Sequence, residues 1–416
     1  MRKVALFSLL LLAGLVGSQI LPTLLGSTFT NLALPIQVLT MVALAFIMIQ
    51  VGREFEIDKT KLSGYGKDYL VAMTAAAFPW IFVTAYFLLV MLPAGSWQQG
   101  DAWKETLLAG RFAAPTSAGV LFSMLAAAGL GATWMFKKTR ILAIFDDLDT
   151  VLLMIPLKML MVGMAWQLGL IVVLMAGMLW VAWRWLNCLN LPNRWPWILF
   201  YSSVIVGISE LIYHGSKTMQ ADVPIHIEVL LPAFVLGCIM KPDHKVEQLP
   251  QEKKVATTIS AAFMVLVGLS MPTLFGSGTS SSNSLTGAMP AMSGWQIAGH
   301  VLAVSILANL GKIFPLFCYR DEASWKERLA VCVAMWPRGE VGAGVLILAL
   351  GYGIGGPVVT VAVLSLALNL ACTGLFILMV RKLLVGAAKE KNSFQAESIR
   401  SKPIRNKQPQ PALSRF

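Results

Sequence analysis

Long apolar segments, separated by short polar stretches, recur along nearly the whole chain. Each is close to the roughly 20 residues that a helix needs to cross the hydrocarbon core of a bilayer. They predict about twelve transmembrane helices, here called spans 1 to 12, at residues 4–25, 32–52, 69–92, 105–129, 139–164, 167–186, 196–213, 224–240, 256–275, 296–318, 327–350 and 357–380. The pattern therefore predicts an all-α, polytopic membrane protein with a transmembrane domain at residues 1–383.

Span 1 has two interpretations. Arg2 and Lys3 precede an apolar run, which is also the pattern of a secretory signal peptide. The apolar run resumes after Gly17 and continues through Leu25, which favours an uncleaved first helix. Cleavage of this segment stays open as the alternative.

Composition and charge agree with the membrane class. The chain is 57% hydrophobic and 13% charged, whereas soluble domains carry about 25% charged residues. The net charge of +12 would also suit a nucleic-acid partner. With the N-terminus in the cytoplasm, however, Lys104 and Lys217 are the only loop cations on the outer side, as the positive-inside rule requires. We therefore expect cytoplasmic N- and C-termini and no nucleic-acid partner.

Two further segments and the cysteines carry little chemistry. The outer loop Gly276–Gly294 is rich in Gly, Ser and Thr, and it predicts a flexible tether. Residues 384–416 are polar and basic, and they predict a disordered cytoplasmic tail. The five cysteines form no CxxC pair, so neither a disulfide framework nor a zinc site is indicated, and we expect no resident cofactor.

Span 5 carries three carboxylates, Asp146, Asp147 and Asp149, inside an otherwise apolar run. An ionised side chain at membrane depth costs about 2.5–3.5 kcal/mol, so it indicates a functional site. Asp146 and Asp149 share a helix face, while Asp147 points about 100° away. One acid can therefore be paired while its neighbour binds a cation. The alternative is a surface helix turn, but the basic residues at 137–140 already mark the water boundary.

Spans 4 and 11 contain residues that interrupt a helix. Pro115 removes a backbone donor in span 4, and the hydroxyls of Thr116 and Ser117 can satisfy backbone groups or bind a cation. Span 11 contains the run Pro337, Arg338, Gly339, Glu340, Val341, Gly342. Either span alone fits a simple proline kink. Two interrupted spans in corresponding places of the two halves indicate the midplane site of a transporter.

The basic residues within spans leave alternatives open. Lys312, in span 10, either pairs with an acid of span 5 or extends to the cytoplasmic surface. Arg338 and Glu340 serve either in a structural bridge or in substrate contact. Arg111 and Lys158 either offset Asp149 or extend to the surface.

Taken in chain order, four motifs resemble the monovalent cation/proton antiporter superfamily, and within it the bacterial sodium/proton exchangers with paired aspartates. These motifs are Pro115-Thr-Ser, Asp146-Asp147, Gly311-Lys312 and Pro337-Arg-Gly-Glu-Val-Gly342, and the resemblance covers about residues 30–380. It implies an inverted repeat of five helices in which spans 4 and 11 are broken and crossed. It also implies a core of spans 3–5 and 10–12, and a homodimer formed through spans 1–2 and 6–9.

The resemblance also implies roles for individual residues. Asp147 is expected to take the cation, Na⁺ first, with Thr116 nearby, and Asp146 to pair with Lys312. The expected location is a bacterial inner membrane. Asp149, Arg111 and Lys158 depart from the family pattern, so the choice among Na⁺, Li⁺ and K⁺ and the proton stoichiometry stay open. Two protons per cation is the count that the resemblance implies.

The expected activity is exchange of a monovalent cation for protons by alternating access, because one carboxylate binds either a proton or a cation. Alternatives are a K⁺/H⁺ exchanger, or a cation-coupled symporter or channel on a related scaffold. A remote alternative is an intramembrane prenyltransferase, since Asp146-Asp-Leu-Asp149 resembles its Mg²⁺-diphosphate motif. Such an enzyme needs a second aspartate-rich segment, which this sequence lacks.

Overall fold

The computed structural model describes residues 2–53, 62–162, 166–219, 229–241, 249–271, 285–286, 289–290 and 292–400, and within these ranges the chain is helical and contains no β-strand. The helices are α1 (Arg2–Leu25), α2 (Ser27–Arg53), α3 (Leu62–Tyr86), α4 (Gly100–Gly110), α5 (Ala118–Ala127), α6 (Trp134–Val162), α7 (Trp166–Arg184), α8 (Trp195–Met219), α9 (Leu230–Ile239), α10 (Pro250–Leu269), α11 (Gly294–Gly311), α12 (Pro315–Cys318), α13 (Trp325–Ala334), α14 (Glu340–Gly351) and α15 (Gly356–Arg400). A π-helical turn, Phe87–Met91, extends α3.

Six helices in the described ranges are long and apolar enough to cross a membrane, at Lys3–Leu24, Leu34–Arg53, Gly64–Met91, Trp195–Ser216, Gly294–Cys318 and Gly356–Glu390. Helix α6 has 29 residues and is also long enough, but it carries the three aspartates. The chain is therefore an all-helical integral membrane protein. The count of twelve spans and the inverted repeat remain predictions.

Close helix packing depends on facing glycines. A Cβ on Gly14 of α1 would overlap the Val265 carbonyl and contact Gly268 of α10, and Gly52 of α2 faces Gly237 of α9 in the same way. Small residues of this kind let helix backbones approach closely within a membrane. Helix α1 is therefore packed into the bundle, which favours its interpretation as a first transmembrane helix.

Spans 4 and 11 are interrupted where their prolines predict. Helix α4 ends at Gly110, a 3₁₀ turn covers Arg111–Ala113, and the chain stays non-helical until α5 begins at Ala118. Proline cannot donate the backbone hydrogen bond that would continue the helix through this stretch. In span 11, α13 ends at Ala334 and α14 begins at Glu340. In the middle of the bundle, both spans therefore have backbone N–H and carbonyl groups that no helical hydrogen bond satisfies.

A charged cluster joins α3, α6 and the segment after α12. The Lys138 ammonium lies 3.1 Å from the Asp68 carboxylate and 3.0 Å from that of Glu322. The Tyr319 hydroxyl donates to the same Asp68 carboxylate at 2.7 Å, and its ring lies 4.4 Å from the Lys138 ammonium. Burial, together with the Asp68 carboxylate, raises the pKa of Tyr319, so this hydroxyl stays a donor.

The C-terminal segment and part of the outer loop differ from expectation. Helix α15 continues to Arg400, so residues 384–400 are helical where we expected disorder, while residues 401–416 lie outside the described ranges. At about 1.5 Å per residue, a helix of 45 residues is about 67 Å long and extends well beyond a bilayer core. In the outer loop, the Glu105 carboxylate accepts from the backbone N–H groups of Leu285 and Thr286 at 3.0 and 2.9 Å. This part of the loop is anchored, and most of the rest lies outside the described ranges.

Candidate functional site

The Asp146 side chain forms an ion pair with Lys312 inside the protein. The Lys312 ammonium lies 2.9 and 3.1 Å from the two carboxylate oxygens, and both side chains are 0% exposed. Asp146 lies in the middle of α6, and Lys312 is the residue that caps the C-terminus of α11. Lys312 therefore does not extend to the cytoplasmic surface, and each charge offsets the desolvation of the other.

Thr116 connects this ion pair to both helix interruptions. Its backbone N–H donates to the Asp146 carboxylate at 2.7 Å. Its hydroxyl accepts from the Lys312 ammonium at 3.0 Å and donates to the Met335 carbonyl at 3.1 Å. The Asp146 carboxylate therefore lies at the N-terminal end of α5, where free N–H groups and the helix dipole favour a negative charge.

The two interruptions contact each other directly. The Ser117 N–H donates to the Pro337 carbonyl at 2.9 Å. A Cβ on Gly339 would lie 3.0 Å from the Ser117 hydroxyl, so a residue without a side chain suits this close approach. The Ser117 hydroxyl also accepts from the Val120 N–H at 3.4 Å and so caps α5. Pro115 precedes this contact in the non-helical stretch.

The position of Lys312 depends on a close contact between α11 and α3. Gly311 precedes Lys312, and a Cβ on Gly311 would overlap the backbone of Pro79. The contact therefore requires glycine at position 311. It brings the end of α11 against α3 and holds the lysine stem at the depth of Asp146.

Arg338 donates to backbone carbonyls and to an amide side chain. Its guanidinium donates to the carbonyls of Ala113 at 2.7 Å, Ala308 at 2.7 Å and Trp336 at 3.1 Å, and to the Asn309 side-chain oxygen at 2.7 Å. Ala113 ends the turn that follows α4, Ala308 lies in the last turn of α11, and Trp336 lies two residues after the end of α13. Helix C-termini carry partial negative charge, so they stabilise this buried cation.

Asn309 and Asn369 belong to the same network, although the sequence pattern predicted a role for neither. The Asn369 side chain accepts from the Arg338 N–H at 2.9 Å and donates to Asn309 at 3.2 Å. The signal available in the sequence was a single amide side chain between leucines in span 12. Nothing in its local spacing identifies Arg338 as the partner.

The remaining predicted site residues are placed as follows. Asp147 is 3% exposed and follows Asp146 on α6. Glu340 begins α14, but its side chain lies outside the described part of the chain, so its predicted role in a bridge stays a prediction. Arg111 donates to the Asp149 backbone carbonyl at 3.1 Å. Arg111 is therefore a buried neighbour of Asp149 and does not extend to the surface.

This geometry provides two neighbouring carboxylates with different surroundings. The Asp146 carboxylate is paired with the Lys312 ammonium and accepts from the Thr116 backbone N–H. Asp147 lies on another side of the same helix, because successive helical residues are about 100° apart. Any cation that binds a carboxylate competes with a proton for it, because a positive charge close to a carboxylate favours its ionised form.

Comparison with known proteins identifies the fold. No family model and no curated protein matches the chain. Among solved structures, the chain is similar to the sodium proton antiporter MjNhaP1 from Methanocaldococcus jannaschii, with a TM-score of 0.54 and 14% sequence identity. The similarity covers 89% of this chain and 91% of the antiporter. This chain therefore has the same overall fold as that antiporter. An identity of 14% shows the fold alone.

Proposed function

We propose that this protein is a secondary transporter, not an enzyme, that exchanges a monovalent cation, Na⁺ first, for protons across a membrane. The observation that carries the proposal is the buried Asp146–Lys312 ion pair at the contact between two interrupted helices, with Asp147 next to it. The fold, which is similar to that of a protein named as a sodium proton antiporter, supports it. Buried ionisable groups at interrupted helices are the arrangement that transporters use for coupling ions.

In this proposal, Asp147 is the carboxylate that binds the transported ion. A proton and a cation compete for it, so release of one allows binding of the other. Asp146 stays paired with Lys312, and this pairing keeps the negative charge of Asp146 fixed beside the site. Thr116 is held against both and offers a hydroxyl oxygen at the same depth.

Alternating access follows from movement of one group of helices past another. We assign α3–α6 and α11–α15 to the moving core, because they carry the site residues and the contact between the interruptions. Helices α1–α2 and α7–α10 form the other part, through which we propose a homodimer. We place the protein in a bacterial inner membrane with both termini in the cytoplasm, on the basis of the loop charges.

Three other functions are supported to different degrees. Exchange of K⁺ for protons would use the same residues as exchange of Na⁺, so only a transport measurement distinguishes the two. A symporter or channel would not require the Asp146–Lys312 pair to be coupled to proton movement. A prenyltransferase would need its aspartates free for Mg²⁺, whereas Asp146 is engaged by Lys312 and Thr116.

Proteoliposomes with an internal pH dye test the proposal. An inward Na⁺ gradient is expected to drive proton efflux and raise the internal pH, and Li⁺ and K⁺ added in turn rank the cations. A symporter would move the internal pH in the opposite direction. A cation channel would change it only when a protonophore provides a separate path for protons. Absence of any cation-driven pH change in the wild-type protein would exclude the exchanger.

A further inference from the structure

The third aspartate of α6 has its own buried environment, which the proposed exchange does not use. Asp149 is 2% exposed and lies one helical turn beyond Asp146. One of its carboxylate oxygens, Oδ2, is buried and accepts no hydrogen bond from the described part of the chain. A buried carboxylate oxygen without a partner is costly and indicates a place where a ligand binds.

Groups from three other helices or turns surround Asp149. Tyr69 of α3 is a polar neighbour of the carboxylate. Arg111, in the turn before the first interruption, is an electrostatic neighbour and donates to the Asp149 backbone carbonyl. Asp146 and Lys312 complete the charged surroundings, the first repelling and the second attracting a negative charge on Asp149.

The Arg111 guanidinium also packs against an aromatic ring. It lies 4.8 Å from the centre of the Trp80 ring, and Trp80 is itself fixed by a 2.8 Å hydrogen bond to the Leu107 carbonyl. Two contacts therefore connect the first interruption to one turn of α6. Arg111 contacts Asp149, and Thr116 contacts Asp146. A change of charge at Asp149 therefore alters the electrostatic potential at the Asp146–Lys312 pair, which lies one helical turn away.

We propose that Asp149 is a second proton-binding carboxylate of the exchanger, distinct from Asp147. This inference rests on the proposed function. In each cycle the ionised Asp149 binds one proton at Oδ2, carries it with the core, and releases it on the other side of the membrane. Lys312 then remains the ammonium partner of Asp146 and does not transport a proton.

The balance of charge gives the measurable consequence. If Asp147 exchanges one cation for one proton, the additional proton on Asp149 raises the ratio of protons to cations by one. Exchange is then electrogenic, because unequal charges cross in the two directions. Asp149→Asn keeps the shape of the side chain, but it cannot exchange a proton.

The test is the coupling ratio of purified protein in proteoliposomes, obtained from the cation and proton gradients at which net exchange stops, with and without an imposed membrane potential. We expect at least two protons per cation for the wild type, and one fewer for Asp149→Asn with exchange retained. Asp101→Asn is the matched control, since Asp101 is exposed and pairs only with Lys104 among the described residues. An unchanged ratio in Asp149→Asn, a wild-type ratio of one, or complete loss of exchange from a folded Asp149→Asn protein would each overturn the inference.

Failure of the wild type to exchange any cation for protons would instead overturn the proposed function. That failure is therefore distinguishable from a failure of this inference.

Discussion

The Lys312 ammonium and the Asp146 carboxylate lie 2.9 Å apart, with both side chains completely buried, although the two residues come from opposite halves of the chain. Transfer of each charge from water is unfavourable, and the mutual attraction offsets that cost only while both are present. Removal of one partner leaves the other as an isolated buried charge. This pair therefore links folding stability to the integrity of the candidate site.

The first prediction is a double-mutant cycle on this pair. Lys312→Ala and Asp146→Ala are each expected to lower the unfolding free energy by about 3–5 kcal/mol, the usual cost of breaking a buried ion pair. The double variant should lose clearly less than the two single losses added, because it leaves no orphan charge. Melting temperatures in detergent measure this. Strict additivity would show that the two residues do not stabilise each other.

The second prediction concerns the transported ion. Asp147→Asn should abolish cation-driven proton flux while the protein still inserts and keeps its melting temperature, because Asn preserves shape but cannot exchange a proton. The flux assay in liposomes measures the first effect and thermal unfolding the second. Asp101→Asn, the same change at an exposed position, should transport like the wild type. Near-normal flux in Asp147→Asn would remove Asp147 from the mechanism.

The third prediction concerns the contact that places Lys312. Gly311→Ala should lower the unfolding free energy by about 1–3 kcal/mol, because the added methyl group overlaps the Pro79 backbone and pushes α11 away from α3. Gly299 lies on the same helix with open space around it, so Gly299→Ala should be neutral or slightly stabilising. Equal effects of the two substitutions would mean that the close approach at Gly311 is unimportant.

The fourth prediction concerns Arg338. Arg338→Lys keeps the charge, but one ammonium cannot reach three carbonyls and the Asn309 side chain in the geometry of a guanidinium. Acceptors left buried without donors cost about 1–3 kcal/mol each, so a loss of more than about 3 kcal/mol is expected. Arg320→Lys, at an exposed position, is the control. Equal melting temperatures for the two variants would contradict the role of the carbonyl network.

Several features of the fold and site were predictable because their signals are local. The helical membrane class follows from the length of the apolar segments, and both helix interruptions follow from prolines in those segments. The three aspartates of span 5 were recognisable because charge is costly at membrane depth. Lys312 was a candidate partner for the same reason, although its sequence left the alternative of the cytoplasmic surface open.

The tertiary structure alone decided which partners satisfy these groups. Arg338 is stabilised by carbonyls at helix ends, and every residue carries a carbonyl, so no residue type in the sequence marks them. Asn369 reaches Arg338 across the bundle, where sequence spacing carries no information. Sequence periodicity reports which residues share a face of one helix. The identity of the facing residues depends on how the helices pack, and that is determined by the whole chain.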